Sequence, residues 1–218
     1  MTDYTAARLN MVENQVRTNR VTDERLIEAM ETIPRELFVP AELRSVAYVD
    51  EDIRVARDRY LLEPMVLARL LQAADVQPTD IALDIGPATG YSTAILALLC
   101  ETVVGIEARD TLVEQASETL TELSIDNAVV IEGDLTAGNP EQGPYNVILF
   151  NGAVADIPDG ITDQLAEGGR LVAVKRSGAG LGQATVVTRF GDICSPRVVF
   201  DAATPFLPGF EPKPAFVF

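Results

Sequence analysis

Three acids stand where apolar runs end: Asp84 in IALDIG, Glu107 in TVVGIE and Asp134 in AVVIEGD. Short apolar runs of this kind read as buried strands, and a carboxylate at the end of each delivers a hydrogen-bond acceptor to the carboxyl edge of a sheet, where open α/β folds bind ligands. The turn after the first acid is Gly86-Pro87-Ala88-Thr89-Gly90, followed by the apolar stretch YSTAILALL. Gly86 and Gly90 permit positive φ and close approach of the backbone to a ligand. Glu107 follows Gly86 by 21 residues, the spacing at which an acid on the next strand accepts hydrogen bonds from ribose hydroxyls. Asp134, beside Gly133, is placed to accept from an adenine amino group, and Asn151-Gly152 follows the fourth apolar run, near the reacting end of such a ligand. Together these residues describe a nucleoside site.

Other nucleotide chemistries fit less well. The dinucleotide fingerprint needs glycines where this chain has Ala88 and Tyr91, and Gly90-Tyr91-Ser92 does not complete a phosphate loop. The chain contains no histidine, which removes Ser-His-Asp and Cys-His hydrolysis and Cys/His zinc clusters. Seventeen basic against thirty-three acidic residues leave a net charge of −16, which repels nucleic-acid backbones and anionic membranes. Cys100 and Cys194 are too few and too far apart for a disulfide framework and read as free thiols. The first twenty residues have no uninterrupted apolar core, and no later run has the length of a membrane span, so the reading is of a cytoplasmic, soluble protein without nucleic-acid or membrane partners.

Strand candidates Ile81–Ile85, Thr102–Ile106, Ala128–Ile131, Asn146–Phe150 and Arg170–Val174 alternate with helical patterns such as Leu112, Val113, Ala116, Leu120 and Leu123. This alternation predicts an α/β fold, a mostly parallel sheet with helices on both faces. Ala184–Arg189 and Arg197–Phe200, separated by short turns, predict an antiparallel C-terminal edge. Before the sheet, Thr22 is the expected N-cap of a helix with the stripe Leu26, Ile27, Met30 and Ile33, and Pro64 opens another through Ala74. VDEDIRVARDRY reads as a short hairpin or a loop over the site, and the tail TPFLPGFEPKPAFVF as irregular packing. With 218 residues, one domain is expected: a helical cap and loop over 1–62, a Rossmann-like core over 63–176, and C-terminal strands and tail over 177–218.

Read as acid, any residue, Gly, any residue, small residue, any residue, Gly, the turn resembles the first motif of S-adenosylmethionine methyltransferases. With MVENQVR, the run VTDERLIEAMETIPRELFVPAELRSVAYVDEDI, IEARDTLVEQASETL, EGDL, PYNVILFNGAV and LAEGGRLVAV, the whole chain resembles the protein-L-isoaspartate O-methyltransferase family. IPRELFVP lies outside the cofactor fold and sets this family apart from general methyltransferases. The resemblance implies carboxyl methylation of isoaspartyl residues in damaged proteins, with S-adenosyl-L-methionine as donor and S-adenosyl-L-homocysteine as product. It implies that Asp84, Gly86, Pro87, Ala88 and Gly90 flank the methionine half of the cofactor. Glu107 and Ala108 then take the ribose, Gly133, Asp134 and Leu135 the adenine end, and Asn151 lies near the methyl.

One stretch departs from that pattern. Where the family has a GYGQTISQP-like segment whose Thr and Ser hydroxyls meet the substrate, this chain has ARDRYLLEP, with Tyr60 at the threonine and Leu62 at the serine. A carboxylate leaving water needs replacement donors. Tyr60 keeps a hydroxyl, Leu62 cannot donate, and Arg57 and Arg59 read either as solvated loop arginines or as cations that would hold a carboxylate by a charge-assisted pair. Tyr60 and Asn151 are thus the catalytic candidates, and Arg57, Arg59, Tyr60 and Leu62 the acceptor-binding ones, with no metal. Methyl transfer to a carboxylate needs positioning and no general base, which suits a chain without histidine. Three readings stay open: a methyltransferase of protein or peptide isoaspartyl carboxylates, one acting on another carboxylate or hydroxyl of a protein or small molecule, and a non-catalytic module that binds the cofactor.

Overall fold

The computed structural model describes residues 3–178 and 180–212. Its N-terminal part is helical. α1 (Tyr4–Met11) runs through a π-helical turn, Val12–Val16, towards α2 (Glu24–Thr32). The N-cap of α2 is Asp23, whose side chain accepts from Arg25 N–H, rather than the expected Thr22. Thr22 instead points its N–H and hydroxyl at the Gln72 side chain. The stripe on α2 is buried as expected, with Leu26, Ile27 and Met30 in the core.

VDEDIRVARDRY forms an antiparallel hairpin of β1 (Ile53–Ala56) and β2 (Arg59–Leu61), with Arg54 opposite Tyr60 and Asp58 at φ +55° in its turn. Then come α3 (Pro64–Ala74), β3 (Ile81–Ile85), α4 (Tyr91–Leu99), β4 (Thr102–Glu107), α5 (Asp110–Glu122) and β5 (Ala128–Glu132). The chain continues through β6 (Tyr145–Val154), the short α6 (Asp159–Thr162), β7 (Leu165–Lys175), β8 (Gly182–Phe190) and β9 (Ile193–Ala202).

The seven strands from β3 onwards form one sheet in the order β5-β4-β3-β6-β7-β8-β9. The first five positions pair in parallel, and β8 and β9 antiparallel. The winding direction reverses between β3 and β6, the crevice where doubly wound sheets take ligands. Alternate residues of each strand serve opposite faces. Ala82, Val147 and Leu149 belong to an apolar cluster shared with α2 to α5, while Leu83, Ile148 and Phe150 belong to a second cluster, covered by Ile161 of α6 together with Leu207 and Phe210 of the C-terminal segment. Part of the tail is therefore core. Residues 213–218 of the Pro- and Phe-rich stretch lie outside the described residues.

The helical cap is docked onto the site's own helix. Arg35, completely buried, donates from Nε to Ala47 O at 2.8 Å and from Nη2 to Leu62 O at 2.8 Å. Its guanidinium lies 4.7 Å from the centroid of Tyr91, the first residue of α4, and Phe38 packs edge-on against the same ring. Thr89 Oγ1 donates to Phe38 O at 2.6 Å. Arg35→Ala leaves two buried carbonyls without donors, at about 1–3 kcal/mol each. A loss of roughly 3 kcal/mol in denaturant unfolding and of about 10 °C in melting temperature is expected; a shift below about 2 °C would show that this docking is dispensable.

Candidate functional site

The turn between β3 and α4 is held in a left-handed conformation at three alternate positions, Gly86 at φ +68°, Ala88 at +53° and Gly90 at +94°. Ala88 carries a side chain in this region at a cost of about 1–2 kcal/mol, and its N–H donates to Glu107 Oε2 at 3.0 Å. Gly90 is needed for packing, since a Cβ there would stand 3.0 Å from Ala116 Cβ on α5. Pro87 is buried beneath the turn, against Gly105 of β4.

Asp84, at the end of β3, is fully buried. Its Oδ2 accepts from Ser92 Oγ and Thr93 Oγ1, both at 2.7 Å, and its Oδ1 from Asn151 Nδ2. Burial pushes its carboxyl up to about 6, against the pull of those three donors. Asn151 lies within β6 and not after it, because the strand continues to Val154, and its amide faces Asp84 and Ile85 O. Asp84 and Asn151 thus tie β3, α4 and β6 together from inside.

Glu107 ends β4 with no exposure, and each of its oxygens has partners. Oε1 accepts from Ala108 N–H at 2.9 Å, while Oε2 accepts from Ala88 N–H and from Arg59, at 2.6 Å from Nη2 and 3.2 Å from Nε. Arg59 is 2% exposed and also donates from Nη2 to Gly86 O at 2.6 Å. The arginine read as an acceptor-loop cation is therefore inside the crevice, because the two-residue period of β2 turns Arg59 and Leu61 inwards together. Arg57 is at the open hairpin tip, paired with Asp58 at 3.3 Å. Tyr60 is half-buried, and Leu62 is 3% exposed in the larger core cluster, so its side chain is not offered to an acceptor.

At the third strand end Asp134 is exposed and accepts from Thr136 N–H at 2.8 Å and Thr136 Oγ1 at 2.7 Å, which hold its carboxyl below the ordinary range. Gly133 N–H donates to Glu107 O, and Leu135 is buried in the second cluster. Sequence reasoning missed the C-terminal segment as part of this site. Leu207 N–H donates to Ala153 O at 2.9 Å, Ala155 N–H to Phe210 O at 2.7 Å, and Phe210 packs edge-on against Phe150 at 5.2 Å. The segment crosses the crevice from Gly152 to Thr136: a Cβ on Gly152 would meet Leu207 at 3.0 Å, and one on Gly209 would meet Thr136 Cγ2 at 2.9 Å.

The acceptor chemistry fits the nucleoside that the resemblance implies, with acids at all three strand ends and a Gly86 without side chain at the crevice. The volume does not fit in this conformation. A Cβ on Gly86 would stand 2.6 Å from Leu207 Cδ1 and 2.7 Å from Arg59 Nη2, so the chain's own atoms already cover that glycine. A cleft that does touch the turn, about 240 Å³, reaches Thr89 from the α5 side, between Phe38, Val55, Gln115 and Glu118.

The buried Asp84 carries a pH signature. Its pKa is higher in the folded than in the unfolded chain, so its contribution to stability is fully present below about 4 and is lost as pH rises through about 6. Relative to Asp84→Asn, the native protein should lose about 3 kcal/mol between pH 4 and pH 7, at 1.36 kcal/mol per pKa unit. Urea unfolding at several pH values measures this, and parallel pH profiles for the two proteins would contradict it.

The family model described as Protein-L-isoaspartate(D-aspartate) O-methyltransferase matches residues 7–189. A Protein-L-isoaspartate O-methyltransferase of Koribacter versatilis is 39% identical over 172 residues, covering 79% of this chain and 78% of its own. Another of that name from Methanoculleus marisnigri is 37% identical over 166 residues, 76% of each chain. Among solved structures, a protein-L-isoaspartate O-methyltransferase superposes with a TM-score of 0.83 at 23% identity, covering 94% of this chain and 67% of that one. A Plasmodium falciparum protein assigned to the same activity, in complex with S-adenosyl-L-homocysteine, gives 0.78 at 20% identity, covering 92% and 97%. These two structures speak to the fold, and the sequence matches take in cap, hairpin, turn and most of the sheet. On that span the chain belongs to the protein-L-isoaspartate(D-aspartate) O-methyltransferase family.

Proposed function

We propose that this chain is an S-adenosylmethionine-dependent O-methyltransferase acting on a carboxylate of a protein or peptide, the isoaspartyl carboxylate first among them. The observation that carries this reading is the family match over residues 7–189, together with an acid at each of the three strand ends around the β3–β6 crevice. S-adenosylmethionine supplies a methyl group carried on a sulfonium. On this reading Glu107 and Ala108 hold the ribose and Asp134 with Gly133 and Leu135 the adenine end. Gly86, Pro87, Ala88 and Gly90 shape the turn under the methionine half, and Asp84 with Asn151 keeps that turn in place from below. The β1–β2 hairpin lies beside the crevice on the acceptor side, and because Arg59 and Leu61 take its inner face, Tyr60 stands on the outer one and meets an acceptor carboxylate only if the hairpin shifts.

A carboxylate is ionised at neutral pH, so an acceptor of this class needs orientation and desolvation and no base to take a proton. A cytoplasmic location accords with the two free thiols, Cys100 buried and Cys194 half-buried. Among the described residues no helix is long and apolar enough to cross a membrane.

Incubation with labelled S-adenosylmethionine and an isoaspartyl peptide, beside its normal aspartyl twin, tests the reading. Label is expected on the isoaspartyl peptide alone. Label on other carboxylates in preference would move the acceptor assignment, and no transfer to any carboxylate would contradict the activity.

A further inference from the structure

We propose that Arg59 is a latch on the nucleoside site: it competes with the nucleoside for Glu107, and Leu207 closes the same space from the C-terminal side. This rests on the reading of Glu107 as the nucleoside's anchor. The pair is dehydrated, at 2% and 0% side-chain exposure, and Arg59 reaches a single oxygen, Oε2, through two of its nitrogens. Oε2 already takes Ala88 N–H besides the guanidinium, whereas Oε1 takes Ala108 N–H alone and keeps one acceptor position. The carboxylate has no exposed surface, so a ribose hydroxyl reaches it only when a group that covers it moves aside, and Arg59 is the side chain bonded over it.

The same displacement is required sterically. Arg59 Nη2 is bonded to Gly86 O and would lie 2.7 Å from a Cβ on that residue, so the guanidinium rests on the one face of the turn left bare for a ligand. Leu207 Cδ1 lies 2.6 Å from the same point. Both occupants belong to elements that can yield. Arg59 is on a three-residue strand paired only with a four-residue one, and Leu207 is on a segment outside the regular strands of the sheet; short elements at the margin of a fold open more readily than its central strands.

A site populated mainly in its closed form shows an affinity reduced by the fraction that is open. Removing an occupant should thus tighten binding, whereas a buried ion pair that merely stabilises the fold would weaken binding when broken.

Calorimetric titration of S-adenosyl-L-homocysteine into the native chain, Arg59→Ala and Leu207→Ala decides this, with folding of each checked by circular dichroism. Arg59→Ala is expected to bind at least tenfold more tightly than the native chain, and Leu207→Ala several-fold more tightly with Arg59 retained. A native chain that binds as tightly as both variants overturns the latch and leaves the nucleoside reading intact. Folded variants that bind no more than a native chain without affinity overturn the nucleoside reading and the latch with it. Should Arg59→Ala fail to fold, Leu207→Ala and the native chain still decide: amide exchange in residues 53–61 should rise when the ligand is bound, and unchanged exchange under saturation would contradict the proposal.

Discussion

A carboxylate with no access to water must be given donors by its surroundings, and the site is organised around meeting that requirement for Glu107. Ala88 N–H, Ala108 N–H and the Arg59 guanidinium all converge on it. Each of these contacts fixes something else. The first holds Ala88 in its left-handed conformation and so shapes the turn between the two glycines. The third brings the β1–β2 hairpin down onto the carboxyl edge of the sheet, and Leu207 then packs against the covered Gly86. Asp84 presents a second, separate case, in which Ser92, Thr93 and Asn151 supply the donors.

Most of the fold was legible in the sequence, because strands buried on both faces and amphipathic helices leave periodic traces. The five parallel strands and the antiparallel edge follow their apolar runs, extended by a few residues at the ends, where pairing outlasts the apolar pattern. Asn151 illustrates that extension: Asn151-Gly152 reads as following the fourth apolar run, yet β6 continues to Val154, where the C-terminal segment bonds to Ala153. The N-cap of α2 moved by one residue because Thr22 is engaged by Gln72, some fifty positions away.

The site was legible as a set of strand ends and not as a set of contacts. Spacing identified Asp84, Glu107 and Asp134 because topology alone brings the ends of β3, β4 and β5 to one edge. It could not show what each acid faces. The alternation in Arg59-Tyr60-Leu61 held the signal that Arg59 shares a face with a core leucine, but a charged loop segment reads first as solvated. Nothing local marks Leu207, whose place in the crevice is a tertiary outcome of how the chain returns past Gly152. The stretch whose reading as an acceptor loop rested on Tyr60 and Leu62 is the one that delivers Arg59 into the crevice.

The central claim is that Arg59 and Glu107 depend on each other inside the crevice. A double-mutant cycle on unfolding free energy, with Arg59→Met, Glu107→Gln and the double variant, measures that dependence directly. Each single change leaves one buried partner unmatched and should cost about 3–5 kcal/mol, while the double variant should cost far less than their sum. Additive effects, within about 0.5 kcal/mol, would mean that the two side chains are energetically independent, and would contradict the account.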